Sequence, residues 1–142
     1  MFLEADEELE NIAAECRHYP QVLELRTQVY AGLKKWELMK VVSLALIKAE
    51  SGNPQGHITL AYAMRRLHSL EAAREILTRA VQLVGHNPTV HFNLACYDCQ
   101  LGDLASAKSH LETACRLWPE ARAMALDEPD LESLWDSLKV QL

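Results

Sequence analysis

The chain has 142 residues, of which 49% are hydrophobic and 24% charged, and its formal net charge at pH 7 is −6. These values are typical of a globular domain with a core, so they argue against a disordered chain. The acidic balance argues against a nucleic-acid partner, because phosphate backbones are bound by basic surfaces. The longest apolar run, Val41–Ile47, is interrupted by Ser43 and is far shorter than the roughly 20 residues that span a bilayer, so no membrane association is expected.

The amino terminus and the cysteines bear on the cellular compartment. Half of residues 1–8 are acidic, and the segment lacks the cationic start and apolar stretch of a secretory signal. The four cysteines are therefore expected to be reduced thiols rather than disulfides, which predicts a cytoplasmic protein.

The chain contains an internal repeat of 34 residues. Pro20, Pro54 and Pro88 lie at this interval. Apolar residues recur at the same interval in four other series, which are Leu33, Leu67 and Leu101; Trp36, Leu70 and Leu104; Met39, Ala73 and Ala107; and Leu46, Ala80 and Ala114. A fixed period of this length indicates stacked copies of one supersecondary unit.

Each repeat is predicted to consist of two helices. Asn53 and Asn87 each precede a proline, which places an N-cap residue before proline at the first helical position. In the third repeat, Gly102 is expected to end the first helix and Asp103 to cap the second. Apolar residues within the helices are spaced by three and four, and no segment shows the alternation of a strand.

In chain order, the prediction is a single repeat domain over residues 1–142, made of a half-repeat helix at 1–19, repeats at 20–53, 54–87 and 88–121, and a C-terminal cap at 122–142. The half-repeat carries an apolar stripe that keeps the 34-residue spacing to the first repeat: Phe2, Ala5, Leu9 and Ile12. Its missing partner helix would leave this stripe partly uncovered. One stripe of the cap is expected to cover the last repeat: Leu131, Leu134, Trp135 and Leu138.

The spacing of residues within the repeats matches a known signature. The third repeat reads His91-x-x-Leu94-Ala95-x-x-Asp98, then Ala107-x-x-x-Leu111, then Pro119. This arrangement resembles the tetratricopeptide repeat, which has Trp-x-x-Leu-Gly-x-x-Tyr, then Ala-x-x-x-Phe, then Pro. The resemblance covers Pro20 to Ala121 and implies an all-α fold, a right-handed α-solenoid of antiparallel helix pairs.

The resemblance also implies a function, because the family binds peptides or proteins in a concave groove lined by the first helix of each repeat. Carried over by position, the groove would contain these residues: Gln28, Ile58, Thr59, Tyr62, Arg65, Arg66, Phe92, Asn93, Cys96, Cys99 and Gln100. The two arginines would attract an acidic group, while Tyr62 and Phe92 would contact an apolar side chain.

Some members of that family hold the terminal carboxylate of heat-shock chaperones with a set of Lys, Asn and Arg residues. At those positions this chain has Glu24, Gln28, Thr59 and Thr89, and it keeps only Asn93. The resemblance therefore disfavours that particular ligand.

Cysteine and histidine are the residues that could carry chemistry. Cys96 and Cys99 lie in the middle of a predicted helix, and no second close pair completes a zinc site, so both are interpreted as reduced thiols on a helix surface. His57 and His91 occupy equivalent positions and are expected to fill gaps between helices, whereas His110 is expected to be solvated. No catalytic motif is present, so no enzymatic activity, cofactor or metal is predicted.

The preferred hypothesis is thus a scaffold that binds a peptide or protein in the groove. A second hypothesis is a self-assembling structural protein, a homodimer for example, that uses the apolar stripe of the half-repeat. A remote third hypothesis is a secretion-type chaperone, which only the size and the acidity of the chain support.

Overall fold

The structure, a computed structural model, describes residues 2–10 and 19–140, and every regular element in these ranges is helical. The chain begins with α1 Phe2–Glu10, α2 Pro20–Gly32, α3 Trp36–Ala49, α4 Pro54–Leu67 and α5 Leu70–Val84. It continues with α6 Pro88–Gln100, α7 Leu104–Leu117, α8 Ala121–Leu126, a 3-10 helix Pro129–Leu134 and α9 Trp135–Val140. The all-α fold class predicted from the sequence is confirmed.

The helices start at the predicted 34-residue interval. First helices begin at Pro20, Pro54 and Pro88, and second helices begin at Trp36, Leu70 and Leu104. The chain divides into two compact units, which we call unit 1 (Met1–Ile76) and unit 2 (Leu77–Leu142), and the division falls within α5. The single domain expected from the sequence stays a prediction.

Side-chain caps at the three predicted positions fix the starts of α4, α6 and α7. Asn53 accepts a hydrogen bond from the backbone N–H of the second residue of α4 at 3.0 Å, and Asn87 accepts the equivalent bond in α6 at 2.9 Å. Asp103 accepts one from the first turn of α7 at 3.2 Å. These bonds satisfy donors that have no partner inside the helix, as the sequence predicted. Tyr19, which precedes Pro20, gives α2 no such bond.

The turn between the two helices of a repeat needs a left-handed residue in the first and third repeats. Gly102 has a φ of 86°, and Lys34, which is 68 positions earlier and so at the same place in the first repeat, has a φ of 58°. Glycine adopts this region without a steric penalty, whereas a residue with a Cβ atom is strained there. The first repeat therefore stores backbone strain that the third repeat avoids.

The core of unit 1 is formed where α3 packs against α2 and α4. Its buried side chains come from all three helices: Leu23, Tyr30, Met39, Val42, Leu46 and Ala63. Leu46 and Ala63 are fully buried. Alanine on α4 allows close approach of the helices, and the larger side chains of α2 and α3 fill the remaining space.

The core of unit 2 joins α6 and α7 to the C-terminal segment. The buried set includes Ala107, Leu111 and Ala114 of α7 and, from the C-terminal segment, Leu131, Leu134 and Leu138. Trp135 is half-buried and donates its indole N–H to the Ala125 carbonyl at 2.8 Å. The predicted capping role of this segment is therefore confirmed, and its first turns are a 3-10 helix rather than an α-helix.

None of the helices within residues 2–10 and 19–140 has the length and apolarity needed to cross a membrane.

Candidate functional site

The groove residues predicted in unit 1 lie on α2 and α4, two first helices that contact each other. Gln28 is exposed on α2, and Ile58 is half-buried on α4. The side-chain amide of Asn53 donates to a carboxylate oxygen of Glu24 at 3.3 Å, which links the start of α4 to α2. The two helices thus lie next to each other, and we call their exposed residues Leu25, Gln28, Tyr62 and Arg66 the α2/α4 face.

Thr59 does not belong to the exposed part of this face, because it is buried. Its Oγ1 donates to the Gln55 carbonyl at 2.7 Å and lies 2.8 Å from Ser43 Oγ on α3. A threonine hydroxyl has one proton, so the Ser43 hydroxyl is the donor in the second bond. Thr59 therefore joins α3 to α4 and is not available to a partner.

An exposed arginine and two aromatic rings lie together where α3 begins and α4 ends. The ring centroids of Trp36 and Tyr62 are 5.7 Å apart, and the Arg66 guanidinium carbon is 5.5 Å from each of them. Arg66 also donates to the Tyr62 hydroxyl at 3.4 Å. We call these three residues the cation–aromatic cluster. Stacking holds the cation in place while its charge stays in solvent.

The charge of Arg66 has no acidic partner within the described part of the chain, since its contacts are the two rings and the Tyr62 hydroxyl. Arg65 is half-buried and already takes part in an interaction. Of the two arginines named from the sequence, Arg66 is therefore the one whose charge faces solvent and is not paired with an acidic side chain that the structure describes.

Trp36 is a member of the cluster that the groove prediction missed. It begins a second helix, whereas the groove was assigned to first helices only. A signal was present in the sequence, because the equivalent positions of the other repeats hold Leu70 and Leu104. One aromatic residue in a series of leucines marks a position where the first repeat differs from the others.

The groove residues predicted in unit 2 are mostly covered by the chain itself. Phe92, Cys96 and Cys99 are 9%, 6% and 8% exposed, because they share a hydrophobic cluster with Leu131 and Leu134 of the C-terminal segment. A partner could contact them only after this segment moved away.

The last two predicted groove residues lie nearer the surface of unit 2. Asn93 is half-buried, and Gln100 is exposed. The Gln100 side-chain amide donates to Asp130 Oδ1 at 2.7 Å, which ties the end of α6 to the 3-10 helix. The predicted groove as a whole stays a prediction, and its freely exposed part is the α2/α4 face.

Cys96 and Cys99 form no disulfide, as expected, but they are buried rather than on a helix surface. Burial raises the pKa of Cys99, and the nearby carboxylates of Asp130 and Asp98 raise it further. Because the thiolate is the nucleophile, this environment suppresses reactivity.

A small pocket of about 200 Å³ in unit 2 contains the third described thiol, Cys115. It is lined by apolar and charged side chains: Lys108, Leu111, Glu112, Arg122, Leu134, Ser137 and Leu138. Burial raises the pKa of Cys115, and Arg122 opposes this effect. The volume falls below the roughly 300–1,000 Å³ of most ligand pockets. Among the described residues, no three His, Cys, Asp or Glu side chains are grouped to hold a metal ion.

No protein-family model and no curated protein sequence matches the chain, so known structures supply the comparison. The chain is similar to the TPR2B domain of yeast Sti1 in a complex with pHsp70, with a TM-score of 0.68 and 17% identity, over 87% of this chain and 98% of that one. It is also similar to the first TPR of Spaghetti (RPAP3) bound to the HSP90 peptide SRMEEVD, with a TM-score of 0.66 and 18% identity, over 86% and 91% of the two chains.

A third similar structure is PcrH in complex with the chaperone binding region of PopB. Its TM-score is 0.61 at 21% identity, and the match covers 92% of this chain and 98% of PcrH. The chain has the tetratricopeptide-repeat fold. The resemblance inferred from the 34-residue period is thus confirmed at the level of the fold.

In this tetratricopeptide-repeat fold, histidine occupies the signature tryptophan position of two repeats. The His57 Nε2 lies 2.7 Å from the carbonyl oxygen of Ser51, and the His91 Nε2 lies 2.8 Å from that of Gly85. A carbonyl can only accept, so each Nε2 carries a proton. Both rings are buried, which confirms that they fill gaps between helices and donate one hydrogen bond.

The expectation of a solvated His110 is wrong. Its Nδ1 lies 3.1 Å from the Nδ1 of His91, and its Nε2 lies 3.9 Å from Oδ2 of the buried Asp98. With His91 Nε2 as the donor to Gly85, the neutral tautomer of His91 has its acceptor at Nδ1, and His110 is the donor to that tautomer. No pattern in the sequence indicates this contact, because positions 91 and 110 meet only through the packing of α6 on α7.

The apolar stripe of the half-repeat is described only in part. The Phe2 ring is 42% exposed and lies so close to Gly32 that a Cβ atom there would be 2.5 Å from it, and Ala5 is half-buried. The Leu9 side chain and all of Ile12 lie outside the described residues. Self-association through this stripe stays a prediction.

Proposed function

We infer that this chain is a non-enzymatic, cytoplasmic interaction module that binds a protein or peptide segment on the α2/α4 face. The observation that carries the proposal is Arg66, an exposed cation held against two rings with no acidic partner among the described residues. The tetratricopeptide-repeat fold supports the proposal, because two of the similar structures are complexes with pHsp70 and with the peptide SRMEEVD.

The chemistry of the face defines the segment that it would bind. Arg66 offers a charge to a carboxylate, and Tyr62 and Leu25, which are 36% and 52% exposed, offer apolar surface to a neighbouring side chain. Gln28 adds an amide that can pair with a peptide backbone. We therefore expect a segment with an acidic residue next to an apolar one.

The ligand is expected to differ from the acidic heat-shock termini. Of the positions that hold such a carboxylate in the resembled proteins, this chain keeps only Asn93. Thr59, another of those positions, is buried and bonded to Ser43. The acidic residue would therefore be bound at the cation–aromatic cluster.

Charge reversal at the cluster tests the proposal. Arg66→Glu is expected to lower the affinity for the partner by tenfold or more, because a favourable charged contact becomes a repulsive one. Tyr62→Ala is expected to weaken it by about 1 kcal/mol through lost apolar contact. The measurement is quantitative pull-down from source-cell lysate, followed by titration with the captured segment at two salt concentrations.

The matched control is Arg116→Glu, which reverses another exposed arginine that belongs to α7 and not to α2 or α4. It should retain binding, and circular dichroism should show that all variants are folded. An unchanged set of partners for Arg66→Glu would reject the α2/α4 face as the binding surface.

A secretion-type chaperone is the second candidate, and the similarity to PcrH over 92% of this chain is the observation in its favour. Under this hypothesis the partner would be a secreted protein that is soluble only when it is co-expressed with this chain. Fractionation of such a co-expression, compared with expression of the partner alone, distinguishes the two candidates.

A further inference from the structure

The outward side of α3 carries three apolar side chains that are not part of the core. Leu38, Val41 and Leu44 are 46%, 60% and 47% exposed. Their spacing of three residues places them on one side of the helix, and we call them the α3 stripe. Scattered exposed leucines are ordinary, but a row of three on one helix is a patch that usually has a partner.

The other repeats show that the fold does not require apolar residues here. The equivalent positions are Ala72, Glu75 and Thr78 in α5, and Ser106, Ser109 and Glu112 in α7. Of these six, all but the alanine are polar, and four are exposed. The α3 stripe therefore departs from the repeat at positions that contribute nothing to the core.

Charges at the two ends of α3 indicate what could cover the stripe. Glu37 precedes it and Lys48 follows it, 11 residues or about 16 Å along the helix. Both are exposed, and neither forms an ion pair with a residue that the structure describes. One helix thus offers an acidic end, an apolar middle and a basic end.

This pattern is complementary to itself when two copies meet antiparallel. Glu37 of each copy then lies opposite Lys48 of the other, and Val41 lies opposite Leu44. A parallel arrangement would instead place like charges together. A two-fold axis makes every contact twice, which is the symmetry of most homodimers.

We propose that α3 is the contact surface of a two-fold homodimer of this chain. The surface differs from the α2/α4 face and from the half-repeat stripe, so the proposal does not depend on either. One helix per partner, about 21 Å long, buries less than the roughly 800 Å² per partner of standard interfaces. The dimer is therefore of the weak, concentration-dependent class, with a Kd on the order of tens of micromolar.

Sedimentation velocity of the full chain between about 1 and 200 µM tests the proposal. The parent protein should shift from monomer to dimer over this range, and Val41→Glu should stay monomeric because it buries a charge at the centre of the contact. The control is Ser109→Glu, which introduces the same residue at the equivalent position of the third repeat. This variant should dimerise like the parent. A parent that is monomeric throughout, or a Val41→Glu dimer, overturns the proposal.

A charge swap tests the antiparallel pairing itself. Glu37→Lys and Lys48→Glu should each weaken the dimer about fivefold or more, because each places like charges opposite each other twice. The double variant restores opposite charges and should return to within about twofold of the parent. Only a second copy that carries the same two reversals offers opposite charges to the reversed helix. A double variant that dimerises as weakly as the single variants would therefore overturn the two-fold arrangement.

Discussion

Two first helices, α4 and α6, occupy the same place in successive repeats but use their faces differently. Tyr62 of α4 is 36% exposed, whereas Cys96, its equivalent in α6, is 6% exposed. The difference arises because the 3-10 helix packs on α6 and buries Leu131 beside it. The face of the first helix that is exposed to solvent in the second repeat is therefore part of the core in the third repeat. Equivalent position in a repeat does not imply equivalent exposure.

The largest effect is expected from removing the side chain that covers α6. Leu131→Ala should lower the free energy of unfolding by about 2–4 kcal/mol, because Leu131 is fully buried and its loss leaves a cavity. Urea unfolding monitored by circular dichroism measures this change. Tyr62→Ala, on the exposed face of α4, is the comparison and should cost less than about 1 kcal/mol. Equal losses in the two variants would contradict the distinction between the two faces.

A medium effect of opposite sign is expected at the two left-handed turns. Lys34→Gly should stabilise the protein by about 1 kcal/mol, because it relieves a positive φ in a residue that carries a Cβ atom. Gly102→Ala should destabilise it by a similar amount. No other atom lies within 4 Å of a Cβ built at Gly102, so this cost is purely conformational.

Thermal unfolding of both single variants and of the double variant provides the measurement. The sites belong to different repeats, so the two changes should add and nearly cancel in the double variant. If Lys34→Gly destabilises the protein, the Lys34 side chain contributes more to the free energy of unfolding than the strain of its positive φ costs.

The smallest effect concerns pH and the buried thiol of α6. Burial and the nearby Asp130 and Asp98 raise the pKa of Cys99 in the folded chain, so the unfolded chain loses this proton first as pH rises. The stability that the protonated thiol contributes is therefore complete below the ordinary cysteine pKa of about 8.5 and is lost as the pH rises through the higher pKa of the folded chain.

Urea unfolding in the presence of a reductant at pH 7, 8.5 and 10 tests this sign. Relative to the parent at each pH, Cys99→Ala should lose less stability between pH 7 and 10. A steeper loss in the variant would mean that the thiol ionises more easily in the folded chain than in the unfolded one.

Much of the helical layout was predictable because it depends on local chemistry and a repeated period. Asn53 and Asn87 cap helices through bonds to backbone groups two residues away, and prolines fix the first helical positions. The stripe of Leu131, Leu134 and Leu138 likewise identified the segment that caps the last repeat. These features need no knowledge of distant residues.

The candidate site was only partly predictable because exposure and pairing depend on distant residues. Tyr62 and Arg66 lie on α4, a first helix as the period predicts, but Trp36 joins them from the start of α3, the second helix of the first repeat. His110 was expected in solvent and instead lies against His91. Neither contact has a signature within one helix.

The sequence by itself determined the all-α class, the 34-residue period, the starts of the helices and their caps, since each follows from interactions within a few residues or from copies of one pattern. Only the tertiary structure decided that Phe92, Cys96 and Cys99 are covered, that Thr59 is internal, and that Arg66 lies against two rings. The physical reason is that the burial of a side chain depends on both surfaces that pack together. The periodic pattern identifies the face of one helix and does not show which other segment covers it.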